Sequence, residues 1–441
     1  MTNFDKPYKN YDELIKILED RNLDISKTSQ AKNLLQLYGY HLLINGYGAS
    51  FIKENSEEFQ AGTSLDDIYS LYLIDSEIQE LFLTSVLKIE RHMANTIGNV
   101  VAEHFDVDND KEHFNNPDSK EPKKDSYLCY KNYKKPRKFS LKVSEVINRL
   151  VNSTRKTPDD PSYYYRKNHN HIPPWILVQN LTFGQIINYY QIQKPNLKTE
   201  IVNEMITPVE NENIDYKKEL FLSSALILSC FRNAAAHASP LYIFKAKKHI
   251  KNYSPPSRTT LEHYLGSEIF EENDPDSLGK DDLYSALLSL LLLNRDSLQR
   301  RLLITKLQSL EQSWKENPSF ISDYKEYIKK AGLPNNYIER LTNAHNQLDK
   351  NETFEIYEKD YSDTGTVIYS KKRNFKHPLN YFSDKKMVFV YRDGIFHLYD
   401  NCQHIRGVEK ERLKKISSIE ANTRKYNLCK SCLAKQKSKS K

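Results

Sequence analysis

The chain has 441 residues, 39% hydrophobic and 28% charged, enough for two or three domains that each bury a core. Its 12 glycines are too few for a turn-rich all-β architecture, and a formal net charge of +7 is modest for this length. Five cysteines, an odd number, do not make a disulfide framework, and the longest apolar run, near Ala286–Leu293, is far too short to span a bilayer. The opening Met1–Pro7 lacks the basic-then-apolar layout of a signal peptide, so a reducing cytoplasm is the expected compartment and no membrane partner is expected.

Taken in chain order, Tyr11–Glu19 predicts a short amphipathic helix with Leu14, Ile17 and Leu18 on one face. A second helix is expected from about Ser29 to Ile44, stopped by Asn45-Gly46. Thr63 or Ser64 then caps a long helical pattern, with Asp66 and Asp67 in the first turn where carboxylates suit the helix dipole. That pattern runs from Leu65 to about His104, long enough that a break or bend is expected inside it. Residues 106–138 are polar and basic and read as an insertion. Helices are expected again at Ser140–Asn152, after Pro173-Pro174-Trp175, at Lys198–Met205, at Lys217–Ala238 and, in one piece, at about Asp281–Asn317. After Asn351 the texture changes. Met387–Tyr391 and Ile395–Tyr399 flank Asp393-Gly394, a strong hairpin signal. The implied domains are 1–253, a helical extension over 254–350, and a small module over 351–441.

The 30 tyrosines suit partly wet cores, interfaces or base stacking. Basic residues concentrate in Lys120–Lys142, interleaved with tyrosines, and in the tail Lys425–Lys441. Lys131, Lys134, Lys135, Arg137 and Lys138 are therefore candidate RNA-backbone contacts, against the plainer reading of a solvated loop.

Two constellations carry chemistry. Arginine followed five residues later by histidine occurs at Arg166/His171, Arg232/His237, Arg258/His263, Arg340/His345 and Arg392/His397, so the spacing alone is uninformative. Only Arg232/His237 ends a strongly apolar helix and has a polar residue, Asn233, directly after the arginine. Asn233 and His237, four apart, share a helix face that small alanines leave open. Imidazole titrates near neutrality and exchanges protons there, while a planar guanidinium stabilises charge on phosphoryl oxygens. The plainer reading has His237 capping a helix and Arg232 paired with an acid. The second constellation is Cys429-Lys430-Ser431-Cys432, thiolates at zinc-knuckle spacing, with Cys402 and either His397 or His404 upstream. Four ligands suggest a structural Zn2+ site that holds together a module too small to fold easily alone.

Phe231-Arg232-Asn233-Ala234-Ala235-Ala236-His237 is similar to the Arg-(Asn/His/Asp)-x-x-x-His signature of HEPN-domain ribonucleases, and resembles their abortive-infection, or Abi-like, branch in particular. Supporting elements stand in the right order: Lys6-Pro7-Tyr8, Leu37–Leu42 with Asn45-Gly46-Tyr47, Gly62-Thr63 through Leu71–Asp75, Pro173-Pro174-Trp175, Leu181–Gly184 and Gly332-Leu333-Pro334. The resemblance covers about residues 1–345. It implies a mainly α, HEPN-type helical bundle with helical extensions. It also implies a metal-independent endoribonuclease of anti-phage defence, with Arg232, Asn233 and His237 catalytic and a homodimer that brings two Arg/His pairs together. A small noncoding RNA or an antitoxin is the further partner it suggests. Gly394–His397, Cys402 and Asn427–Cys432 resemble the Ada-type zinc module, with His397 where a cysteine is usual and one residue fewer between the first two ligands. The alternatives are a non-catalytic RNA-binding or sensor module and, more weakly, a metal-dependent phosphodiesterase, for which no acidic cluster is evident.

Overall fold

The computed structural model describes residues 6–107, 125–136, 141–250, 253–317, 321–351, 353–361, 367–376, 387–392, 395–398, 402–406, 408, 413–417, 427–429 and 431–432. The chain divides into two units, Met1–Asn351 and Glu352–Lys441.

The first unit is helical. α1 (Tyr11–Asp20) starts at a reciprocal capping box between Asn10 and Glu13. α2 (Thr28–Tyr38) stops where Gly39 takes a φ of 81°, and a π-type turn, His41–Tyr47, follows in place of the single helix expected to Ile44. Gly39 is suited to the stop because a Cβ resists that left-handed φ.

Ser64 and Asp67 form the capping box of α3 (Leu65–His104), which runs unbroken for 40 residues, or about 60 Å at ~1.5 Å per residue. The expected interruption is absent. The segment contains no proline, and its buried residues, from Leu65 to Val101, lie on several sides of the helix. Neighbours along its length bury it, as in the centre of a bundle. Its one glycine, Gly98, sits where a Cβ would come within 3.0 Å of the Trp175 Cα.

Around this axis stand α4 (Val143–Lys156), α5 (Ser162–Asn168), α6 (Pro174–Leu177), α7 (Phe183–Gln191), α8 (Pro195–Met205) and α9 (Ile214–Ala236). Pro174 occupies the first turn of α6, and Thr182 with Gln185 forms a capping box for α7. The short helix α5 lies in a polar stretch of the sequence.

α10 (Arg258–Leu265), α11 (Leu283–Leu293), α12 (Ser297–Glu316), α13 (Ile321–Ala331) and α14 (Tyr337–Asn351) continue the same core, with α11, α12 and α13 each packed on α3. The long helix expected over Asp281–Asn317 is two. Asn294-Arg295-Asp296 interrupts it: the Asn294 side chain accepts from the Asp296 N–H, and Asp296 caps α12 by accepting from the Leu298 and Gln299 N–H groups. Among the described residues no helix is long and apolar enough to cross a membrane, and all five cysteines are free thiols.

In the second unit β1 (Thr353–Tyr361) and β2 (Val367–Lys376) form an antiparallel pair that periodicity did not reveal. β3 (Met387–Arg392) pairs antiparallel with β4 (Ile395–His397), the expected hairpin; Asp393 and Gly394 lie outside the described residues. β5 (Lys414–Ser417) and β6 (Asn427–Leu428) complete a sheet of order β5-β3-β4-β6, with β4 and β6 parallel.

Candidate functional site

The Asn213 side chain caps α9 by accepting from the Asp215 and Tyr216 N–H groups. Apolar spacing then drives the helix into the core as far as Phe231, which is fully buried between the rings of Phe82 and Phe244. Anchoring Phe231 sets the rotation of the last turn. Ala234 and Ala235 point inward, while Asn233, Ala236 and His237 are exposed together on one side. His237 is the C-cap residue: its N–H donates to the carbonyls of Asn233 and Ala234, and Ala238 after it takes a φ of 52°.

Arg232 is half-buried on the neighbouring side. Its Nη1 donates to Asn233 Oδ1 at 3.4 Å, and its Nε stands 4.0 Å from Glu90 Oε2 on α3. That pair is electrostatic only, because both atoms are buried without a hydrogen-bond partner. Burial holds the Glu90 carboxyl above the ordinary glutamate range, with the Arg232 charge and the Phe183 N–H pulling the other way. α3, the start of α7 and the end of α9 thus meet at this point. Glu90 escaped the sequence reading, since nothing local distinguishes it from the other charges of α3.

The chain beyond His237 is held by a second acid. Asp75, wholly buried on α3, accepts at Oδ2 from the Tyr47 hydroxyl, the Gln79 amide and the Leu241 N–H, each at 2.8 Å, and at Oδ1 from the Tyr327 hydroxyl at 2.8 Å. Gln79 also donates to the Ser239 carbonyl at 3.1 Å. Burial pushes the Asp75 carboxyl up despite these four bonds. An acid on an apolar helix face (Ile68, Leu71, Asp75, Ile78) was the available signal.

The other Arg/His pairs are engaged elsewhere. Arg166 donates to the carbonyls of Thr154 and Thr157, Arg258 to those of Asp274 and Pro275, and buried Arg340 pairs with Asp274. His345 faces Arg300 and Asp349. Among the basic candidates, Lys131 lies over the Tyr130 ring, while Lys134 and Lys135 are exposed; Arg137 and Lys138 lie outside the described residues.

In the second unit the pairing of β4 with β6 sets Cys429 beside His397, its N–H donating to the Phe396 carbonyl at 2.9 Å. His397, Cys402, Cys429 and Cys432 are all buried, and one potential ligand atom from each lies within 4.8 Å of all the others, so the four could bind a metal ion. His397 Nδ1 is 3.4 Å from Cys402 Sγ, and Cys402 Sγ is 3.8 Å from Cys429 Sγ. His404, the competitor, is exposed; its Nδ1 lies 3.3 Å from Cys429 Sγ, and its backbone N–H bonds to Cys402.

No curated protein and no solved structure matches the chain. Residues 33–243, from α2 to just past His237, match the model of the family described as Abi-like protein, and this segment is what the chain shares with that family.

Proposed function

We propose that this protein is an endoribonuclease effector of abortive infection, with Arg232, Asn233 and His237 as its catalytic residues. The observation that carries the reading is the end of α9. A titratable imidazole and an amide stand exposed on one side, and a guanidinium beside them faces Glu90 without a hydrogen bond to it. RNA supplies its own nucleophile. The ribose 2′-OH attacks the adjacent phosphorus, the P–O5′ bond breaks, and a 2′,3′-cyclic phosphate and a 5′-hydroxyl result. In this scheme neutral His237 takes the 2′-OH proton, or its protonated form supplies one to the leaving 5′-oxygen. Arg232 stabilises the charge that grows on the non-bridging oxygens. Asn233 orients a phosphate oxygen or the imidazole. Residues five apart diverge by roughly 140° around a helix of ~3.6 residues per turn, so a second copy that completes the acid–base pair belongs to the proposal.

The second unit, in this reading, is a recognition module held by a structural zinc. Tetrahedral zinc with Zn–S near ~2.3 Å requires sulfur atoms about 3.8 Å apart, and the Cys402–Cys429 separation of 3.8 Å fits that requirement. Three thiolates and an imidazole are a zinc-type donor set, and four protein ligands leave no open position for chemistry.

The test is cleavage of a mixed RNA pool in the presence of chelator, comparing wild type with Arg232→Ala and His237→Ala. Cutting that yields cyclic phosphate ends and disappears in both variants is the expected result. Equal cutting by all three proteins would sink the assignment. One observation favours a non-catalytic RNA-binding module instead: His237 serves as a helix C-cap and Arg232 faces an acid. That reading expects salt-dependent RNA retention with no cleavage, and retention unchanged in both variants.

A further inference from the structure

The first half of α9 borders an open cleft of about 1420 Å³, walled also by residues of α7, α8 and α10, the Tyr253–Ser257 segment and Lys134. Leu226 is the last α9 residue to line it, so Arg232 and His237 take no part. Small-molecule sites typically measure about 300–1,000 Å³, and this one is larger.

Its chemistry is unusual in two independent respects. Lys134, Lys198 and Lys218 all line the cleft, near enough that the charges of the other two act on Lys198. The Lys198 ammonium donates to the Gln191 carbonyl at 2.6 Å and lies 5.5 Å from the Tyr190 ring centre. Burial, then the charges of Lys218 and Lys134, draw its pKa down to about 8. A half-buried group of like charges is disfavoured unless an anion joins it. Beside it, the Tyr190 hydroxyl, Gln191 Oε1 and Gln193 Oε1 are buried without a hydrogen-bond partner, on side chains that are 1%, 4% and 1% exposed. Buried polar atoms are normally partnered, so three orphans on one cleft ask for a ligand. Two of them are pure acceptors. A fully ionised phosphate cannot answer them, whereas ribose hydroxyls and base amino groups can. Asp215, Glu219 and Glu262 stand on the same cleft, with Asp215 3.8 Å from Lys218, which also argues against a bare anion as occupant. Tyr216, 60% exposed, adds an aromatic face for a base.

The geometry points to a nucleotide site, separate from Arg232 and His237, with phosphate among Lys134, Lys198 and Lys218 and the ribose or base donors on Gln191 and Gln193. The same chemistry is offered by a free nucleotide and by one nucleotide of an RNA strand. The site does not depend on whether the protein cleaves RNA.

Calorimetric titration of the full-length protein tests it, with inorganic phosphate, 5′-ribonucleoside monophosphates and an uncleavable 2′-O-methyl oligoadenylate as probes. Lys134→Ala and Lys218→Ala, both at the cleft edge and checked by unchanged melting temperature, are expected to weaken nucleotide or oligonucleotide binding at least tenfold. Arg232→Ala is expected to leave mononucleotide binding intact. Binding of a mononucleotide identifies the free source, and binding of the oligonucleotide alone identifies a strand; either supports the site. It is overturned if neither class binds wild type, if inorganic phosphate binds as tightly as the nucleotides, if both lysine variants bind like wild type, or if Arg232→Ala abolishes mononucleotide binding.

Discussion

Replacing Asp75 separates the two things its carboxylate does, accepting hydrogen bonds and carrying charge. In Asp75→Leu the Leu241 N–H and the hydroxyls of Tyr47 and Tyr327 lose their acceptor, whereas Gln79 keeps Tyr47 and the Ser239 carbonyl. Each buried donor left without a partner costs about 1–3 kcal/mol, so three imply a loss of at least ~3 kcal/mol. In Asp75→Asn the amide oxygen can occupy the Oδ2 position and keep its three donors, while the new NH2 faces the Tyr327 oxygen, which is able to accept. That change is expected to cost about 1 kcal/mol. Urea unfolding followed by circular dichroism measures both, and failure of the leucine variant alone to fold preserves the order. Equal stability of the two variants would refute the hydrogen-bond reasoning.

The same pair gives a pH test. Burial raises the folded-state pKa of Asp75 above its ordinary carboxylate value. The folded state therefore holds the proton more tightly, and the associated stability is present below about pH 4 and is lost as pH rises through the raised value. The stability of wild type relative to Asp75→Asn should accordingly fall with rising pH. A gap that widens with pH would show that burial does not dominate at this carboxyl.

Three further outcomes follow from the packing and the proposed zinc site. Gly98→Ala places a methyl 3.0 Å from the Trp175 Cα and from Val178 Cγ2, and overpacking of this kind costs about 1–3 kcal/mol; a melting temperature equal to wild type would show that α6 yields freely. Arg300, 1% exposed, donates to Asp349 and to the Asn294 carbonyl, both at 2.6 Å, so Arg300→Met should lose about 3–5 kcal/mol in urea unfolding by stranding these acceptors. Elemental analysis should find one zinc per chain in wild type and in His404→Ala, and depleted metal in His397→Ala and Cys432→Ser. Retention in His397→Ala with loss in His404→Ala would reverse the choice of fourth ligand.

Much of this protein is written locally. Capping residues placed helix starts at Ser64 and Pro174, the apolar spacing before Phe231 announced α9, and Cys429/Cys432 announced the His/Cys cluster that could bind a metal, because each signal lies within one or two turns of chain. The Arg232-to-His237 segment was separable from other pairs of the same spacing by its local setting, and the family match spans it. What escaped depends on residues far apart in sequence. α3 runs unbroken because distant helices bury it along its length, and a helical period cannot report that support. Asp75 meets Leu241 and Tyr327, Glu90 meets Arg232, and Lys134 meets Lys198 across α7 and α8 only when the bundle closes. Local sequence therefore determined which residues could do chemistry at the end of α9. Tertiary packing decided which acid stands beside Arg232, which buried carboxyl holds the chain after His237, and that a cleft with unpartnered polar atoms opens along the other half of the same helix, since each is a contact between segments that no local pattern encodes.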